Sequence, residues 1–300
     1  MLELILFAIC VILAIRAPNF LTTDNLLAVL RSVAMQGVIA FGMTMVIIVG
    51  EIDLSVGASV AFAGCLVAYL TQSGVPLPIS IVVTVSCGLA IGAFTGVVRA
   101  RFQVPSFITT LALLTGLRGA ALKLTGGFPL TPFPQGFFFI GGGYLLGIPF
   151  PVVVLLLTFA AVHLLMTRAA FGRAVYAAGG NPEAARLSGI DVSRVRTAAL
   201  AITGGLAALS GIMLAARIMS GTPTVAQGWE LDIIAATIIG GTSLSGGAGT
   251  AWGTLVGIIF IGVIVNGMVL LDVPVYTQYI VRGLLIFGAV LMNRMQKGRV

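Results

Sequence analysis

Apolar stretches long enough to cross about 30 Å of hydrocarbon recur along the whole sequence, and that repetition constrains the fold more than any single motif. Of 300 residues, 59% are hydrophobic and 8% are charged, with a mean hydropathy of +1.14. Soluble domains carry about 25% charged residues, so a water-soluble globule is excluded. The apolar stretches do not alternate with polar residues, which disfavours a transmembrane β-barrel. The sequence therefore predicts an all-α polytopic bundle, one transmembrane domain over 1–300. About ten spans are expected, near 2–15, 33–49, 56–71, 79–98, 105–124, 150–166, 197–217, 230–242, 250–270 and 276–293.

A net charge of +7 in a soluble protein would suggest nucleic acid as partner. In a membrane chain the positions matter first, because Lys and Arg collect on the cytoplasmic side. "RARFQ" (99–103), "TRAAFGR…SRVR" (167–196) and the tail "NRMQKGRV" hold Arg99, Arg101, Arg168, Arg173, Arg186, Arg194, Arg196, Arg294, Lys297 and Arg299. These ten of the sixteen basic residues fall at alternate ends of the spans. Both termini are thus expected in the cytoplasm, with lipid and not nucleic acid as the surroundings. The first span lacks a basic start and a small-residue cleavage site, so it reads as a span and not a signal peptide. After it, Thr23 or Asp24 is expected to cap an amphipathic turn at the outer interface. Cys10, Cys65 and Cys87 lie in apolar stretches without ligand spacing and read as small buried hydrophobes.

Two phrases interrupt the apolar text. Residues 50–58 read "GEIDLSVGA" and residues 240–248 read "GGTSLSGGA", matching at Gly50/Gly240, Leu54/Leu244, Ser55/Ser245, Gly57/Gly247 and Ala58/Ala248. Glycine-interrupted hydrophobic segments in corresponding places point to a transport path, whether the repeat is parallel or inverted. Within lipid such breaks persist only where protein or water satisfies the freed backbone groups. Asp53 aligns with Ser243, and both are favoured caps, here for helices expected to start at Leu54 and Leu244. Glu51, Asp53, Ser55, Thr242, Ser243 and Ser245 are candidate pathway residues; capping and lining are compatible. Charge at mid-bilayer is costly, so Glu51 and Asp53 belong at the cytoplasmic interface or in a polar cavity. Capping does not explain Glu51.

Other polar residues in the spans carry less. His163 reads as a satisfied or snorkelling histidine, and Arg118 and Arg282 as snorkelling or helix-binding residues. "GGGYLLG" (141–147) reads as a loop, not a dinucleotide fingerprint, and no GxxxxGK[ST] is present to bind ATP. One histidine and scattered serines offer no catalytic constellation and no metal site.

The most informative polar stretch is "GGNPEAARLSGIDVSRVR" (179–196), part of a loop over about 168–196. Asn181 is an expected N-cap, Pro182 fits the first helical position, and Glu183 suits the positive end of the dipole. Gly189 is the expected stop, and Asp191 caps the next span. A helix of about seven residues is marginal in water and implies a surface on which to dock.

With these residues in view, the chain resembles the membrane-spanning permease subunits of bacterial ABC importers for sugars, of the ribose, xylose and galactose type that includes autoinducer permeases. The resemblance covers essentially the whole chain. It rests on "PNFLTTDNL" (18–26), "GEIDLSVGA", "PSFITTLALLTGLRG" (105–119), the segment 172–190 that ends in "YAAGGNPEAARLSGI", and "LDIIAATIIGGTSLSGGAGTAWGTLVG" (231–257). It implies that Gly179–Gly189 is a coupling helix docking in a cleft of an ATPase subunit. The docking residues would be Gly179, Asn181, Glu183, Ala184, Ala185, Arg186, Leu187 and Gly189. It also implies that the two breaks lie by the central pathway. The expected partners are an ABC ATPase that binds the ATP, a secreted sugar-binding protein, and a second permease copy or paralogue; the permease itself needs no cofactor. The family often has glycine where this chain has Glu51, and many relatives begin with a basic tail. The rival reading is a secondary transporter energised by ions at Glu51 and Asp53, which leaves the docking helix unexplained.

Overall fold

The computed structural model describes residues 2–297; Arg299 of the basic tail lies outside them. The elements run α1 Leu2–Arg16, α2 Thr23–Ile48, α3 Val56–Gln72, α4 Leu77–Phe102, α5 Ser106–Thr125 and α6 Phe138–Gly142. A two-residue hairpin follows, β1 Tyr144–Leu145 with β2 Ile148–Pro149. Then come α7 Phe150–Arg168, α8 Ala170–Gly180, α9 Pro182–Leu187, α10 Val192–Ile218, α11 Trp229–Ile239, α12 Ala251–Leu270 and α13 Val275–Lys297.

All ten expected spans fall on helices. Length and composition qualify six of the described helices to cross a membrane: α2, α4, α5, α7, α10 and α12. Helix α3 is apolar but has 17 residues. Helix α11 has 11, about 16 Å at 1.5 Å per residue, or half the hydrocarbon thickness.

Three local expectations change. The cap of α2 is Thr22, whose side chain accepts from the Asn25 amide, so the amphipathic turn is simply the start of that helix. The glycine-rich 141–147 stretch ends α6 and enters the hairpin. Helix α8, not expected from the sequence, fills part of the 168–196 loop.

Helices α2 and α10 are the most enclosed long elements. What brings α10 so close to α4 is a stripe of small residues, Ser80, Thr84, Gly88, Gly92 and Gly96, each four positions after the last and all buried. A Cβ on Gly92 would stand 2.1 Å from the Leu200 carbonyl oxygen, and one on Gly88 would stand 2.5 Å from that of Gly204. Lipid gives no hydrophobic drive between helices, so backbone approach through small residues supplies the packing.

The breaks close in the same way. The Gly50 amide donates to Ile47 and the Glu51 amide to Val46; the Gly241 amide donates to Ile238 and the Thr242 amide to Thr237. With Gly50 at φ +79 and Gly241 at φ +95, both α2 and α11 end in the left-handed glycine motif that satisfies terminal carbonyls. The structural equivalence is therefore Gly50 with Gly241 and Glu51 with Thr242, one position off the sequence match. Beyond that point the copies diverge, because the first re-enters helix at Val56 and the second only at Ala251. Both helix ends meet at one end of the bundle, so α2 and α11 run in the same sense.

Candidate functional site

The first break is held open by its neighbours. The Ser106 hydroxyl accepts from the Ile52 amide and the Thr110 hydroxyl from the Leu54 amide, both at 3.1 Å. These hydroxyls from the first turns of α5 do in lipid what water does elsewhere. Asp53 is buried, and one of its carboxylate oxygens accepts from the Ser55 amide at 2.8 Å and the Ser55 hydroxyl at 2.6 Å. The expected cap at Leu54 is thus displaced: Asp53 fixes a turn, and α3 begins two residues later.

Glu51 finds the partners that its sequence neighbours do not supply. Arg99 at the end of α4 lies 3.0 Å from its carboxylate and Arg196 on α10 lies 3.2 Å from it, with Glu51 itself 5% exposed. Arg196 also donates to the Val49 carbonyl. The carboxylate is therefore neutralised where the basic ends of α4 and α10 converge. No metal-ligating cluster occurs among the described residues.

The second break folds on itself and onto the first. Ser243 donates its amide to Ala248, and Gly246 donates back to Ser243. Residues 243–248 therefore form a tight loop, and Ser243 caps no helix; α12 is capped by Thr250, which accepts from the Gly253 amide. Thr242 and Ser243 are buried, whereas Ser245 is exposed. Gly247 donates its amide to the Ile48 carbonyl at 2.9 Å. Tyr176 on α8 donates its hydroxyl to the Gly249 carbonyl at 2.8 Å, and burial pushes that phenol above its usual range.

Helix α8 reaches the junction through Gly179. A Cβ there would lie 1.6 Å from the Ile48 oxygen and 2.8 Å from the Gly247 nitrogen. One expected docking residue is thus packed between the two breaks.

Helix α9 follows directly and has the expected ends. The Asn181 side chain accepts from the Glu183 and Ala184 amides, with Pro182 at the first position. Gly189, at φ +83, donates to Arg186, and Ile190 donates to Ala185, which is the left-handed stop. Asp191 accepts from the Arg194 amide to start α10. Leu187 is 84% exposed, Ala184 is exposed, and Glu183 pairs with Arg186 on the same surface. Ala185 turns inward and is buried, so it belongs to the seat of α9 and not to its outer face.

Elsewhere, Arg118 donates to the Pro223 and Val225 carbonyls at 2.9 and 2.7 Å and so holds the irregular segment before α11. Arg282 pairs with the buried Asp232 at 3.1 Å. Both arginines bind elements together within the bundle. Exposed His163 stacks on Phe159.

A multi-pass helical bundle, two closed breaks against one another, and a short capped helix presented beside them define a membrane permease component. Residues 25–290 match the family described as the branched-chain amino acid transport system / permease component, and the chain belongs to that family. It is similar to the ribose import permease protein RbsC of Bacillus subtilis (strain 168), 44% identical over 291 residues covering 96% of this chain and 90% of that protein. The RbsC of Escherichia coli (strain K12) is 40% identical over 295 residues, 96% of this chain and 92% of that protein. The L-arabinose ABC transporter permease protein AraH of Azospirillum brasilense is 37% identical over 299 residues, 100% of this chain and 87% of that protein. No solved structure matches the chain. As a permease component of an ABC importer, it is a transport protein and not an enzyme.

Proposed function

We propose that this chain forms the membrane pathway of an ATP-driven importer that carries a monosaccharide into the bacterial cytoplasm. Two copies, or one copy and a paralogue, enclose the pathway; an ABC ATPase docks on the cytoplasmic side, and a sugar-binding protein delivers substrate outside. The basic ends of α4 and α10 support a cytoplasmic position for α9 and for both termini of an inner-membrane protein. The single observation that carries the reading is the contact of α8 with both breaks, followed at once by α9 with Leu187 84% exposed.

A push on α9 reaches the junction of Ile48, Gly179 and Gly247 through one rigid element. Two states of that junction, one favoured by the ATP-bound ATPase and one by the binding protein, make the path bistable. Glu51, Asp53, Ser55, Thr242, Ser243 and Ser245 are the polar residues such a change would bring to the pathway. Relatives named for ribose, arabinose and xylose import support a pentose as substrate.

The test is reconstitution of the permease with its ATPase and binding protein in vesicles, followed by uptake of labelled ribose, arabinose and xylose. Uptake of one of them that requires ATP and the binding protein is expected. Uptake driven by an ion gradient without ATP would sink the reading.

A further inference from the structure

A cavity of about 220 Å³ lies between α2, α11, α12 and α13, and its lining includes Ser32, Gln36, Asp232, Asn266 and Arg282. Its walls are apolar, formed in part by Val29, Ile261 and Val265. Buried Asp232 accepts from Arg282 at 3.1 Å, and the Arg282 Nε is buried with no partner among the described residues. Asn266 is held by Asn25 in a reciprocal amide pair, at 2.7 and 3.1 Å. Gln36 is half-buried, and its amide makes no hydrogen bond among the described residues. Polar and ionisable groups inside a span are costly, and by default they mark a functional site. Helix binding accounts for the Asp232–Arg282 pair. It does not account for Gln36, which ties nothing together.

The lining names the ligand. One carboxylate and one guanidinium balance, so an anion would face Asp232 and a cation would face Arg282. The amides of Gln36 and Asn266 offer donors and acceptors together, as hydroxyl groups require. An acyl chain would leave these polar side chains in hydrocarbon without partners. Pockets for drug-sized ligands begin at about 300 Å³, so the smaller volume here suits one small ring. The depth fits as well. Gln36 stands twelve residues before the end of α2 at Ile48, about 18 Å at 1.5 Å per residue and so near the middle of the hydrocarbon. Asp232 lies in the first turn of the half-length α11, and transporter sites gather at the midplane beside such discontinuous helices. We infer that this cavity holds a neutral pentose in transit, on the outer side of the two breaks. Its hydroxyls meet Gln36, Asn266 and the Asp232–Arg282 pair, and its C–H face lies on Val29 and Val265. This assignment rests on the importer reading above and adds to it a place where the permease itself grips the sugar.

The experiment is saturation-transfer difference NMR of the full-length permease in neutral detergent, titrated with ribose, arabinose and xylose in turn. At least one pentose should receive saturation from the protein. Gln36→Leu should weaken its binding about fivefold, the net worth of one hydrogen bond. The same variant should keep the wild-type thermal midpoint, because Gln36 bonds to nothing in the chain. Val29→Phe, which puts a ring into the cavity, should abolish the signal. No saturation of any of the three sugars overturns the proposal. So does a Gln36→Leu dissociation constant equal to that of the wild type, whatever Val29→Phe does to folding. The binding measurement needs neither ATPase nor binding protein, so it is judged apart from the importer reading. ATP-dependent uptake without pentose binding removes the site and keeps that reading. Pentose binding that Gln36→Leu weakens, without ATP-dependent uptake, keeps the site and removes the reading.

Discussion

The Gly247 amide reaches the Ile48 carbonyl at 2.9 Å, and that bond joins two segments 199 positions apart at the last turn of α2. It completes the accounting for that helix end. The Met45, Val46 and Ile47 carbonyls receive the Val49, Glu51 and Gly50 amides, and the Val49 carbonyl receives Arg196. Helix termini leave carbonyls that must find partners, and here α2, the second break and α10 together supply them. A shift in any one exposes backbone groups to the others, so the junction has few intermediate arrangements.

Gly179 tests that closeness. Gly179→Ala places a methyl 1.6 Å from the Ile48 oxygen, a backbone atom that cannot rotate away. Overpacking of this kind costs about 1–3 kcal/mol, and the backbone contact puts this case at about 3. Gly180→Ala, one residue on, meets nothing within 4 Å and should unfold like the wild type. Thermal unfolding in detergent compares the pair; equal midpoints would show that α8 does not wedge between the breaks.

Thr110 tests how the first break is held. Thr110→Val keeps the shape but leaves the Leu54 amide without its acceptor. An unsatisfied amide costs about 1–3 kcal/mol, and Thr110→Ser, which keeps the hydroxyl, should cost less than half as much. Hydrogen exchange at residues 52–55 should rise in the valine variant and not in the serine one. Unchanged exchange in both would assign the amide to another acceptor.

For Asp53 the useful comparison is Ala against Asn. Alanine removes both bonds to Ser55 and should destabilise by about 1 kcal/mol, as loss of a capping side chain does. Asparagine keeps an acceptor oxygen and should retain most of the stability. An asparagine variant as weak as alanine would mean that the charge, not the turn, is what the site requires.

How much of this is legible in the sequence follows from the range of each interaction. Asn181, Pro182 and Gly189 act within one turn, so their roles in α9 are readable and hold. Asp53 and Ser243 look alike as caps, yet only Asp53 directs a turn into a helix, because Ser243 is drawn into a loop closed by Ala248. Glu51 has no visible partner in the sequence because Arg99 and Arg196 are 48 and 145 positions away. The stripe from Ser80 to Gly96 has a four-residue spacing that does show in the sequence, but what it packs against does not. The roles of Ser106 and Thr110 have no such signal, since hydroxyls at the start of a span look like ordinary helix residues until the break beside them is seen.

The outer face of α9 gives the last prediction. Leu187 is 84% exposed and Ala184 lies on the same surface. Leu187→Asp should leave stability within about 0.5 kcal/mol, as surface changes usually do. It should nevertheless abolish co-purification with the ATPase and substrate-stimulated ATP hydrolysis, because a charge replaces the apolar contact. Ala185→Trp acts differently. Its site is buried against the chain itself, so an indole there should lower stability by about 1–3 kcal/mol and displace the whole helix. Gly189→Val forces a β-branched residue into the left-handed region at φ +83, at a cost of about 1–2 kcal/mol, and loosens the same stop. The decisive pattern is loss of ATPase stimulation in Leu187→Asp without loss of stability. If that variant couples normally while Ala185→Trp does not, the contact with the ATPase lies elsewhere on the 168–196 loop, and α9 only braces it.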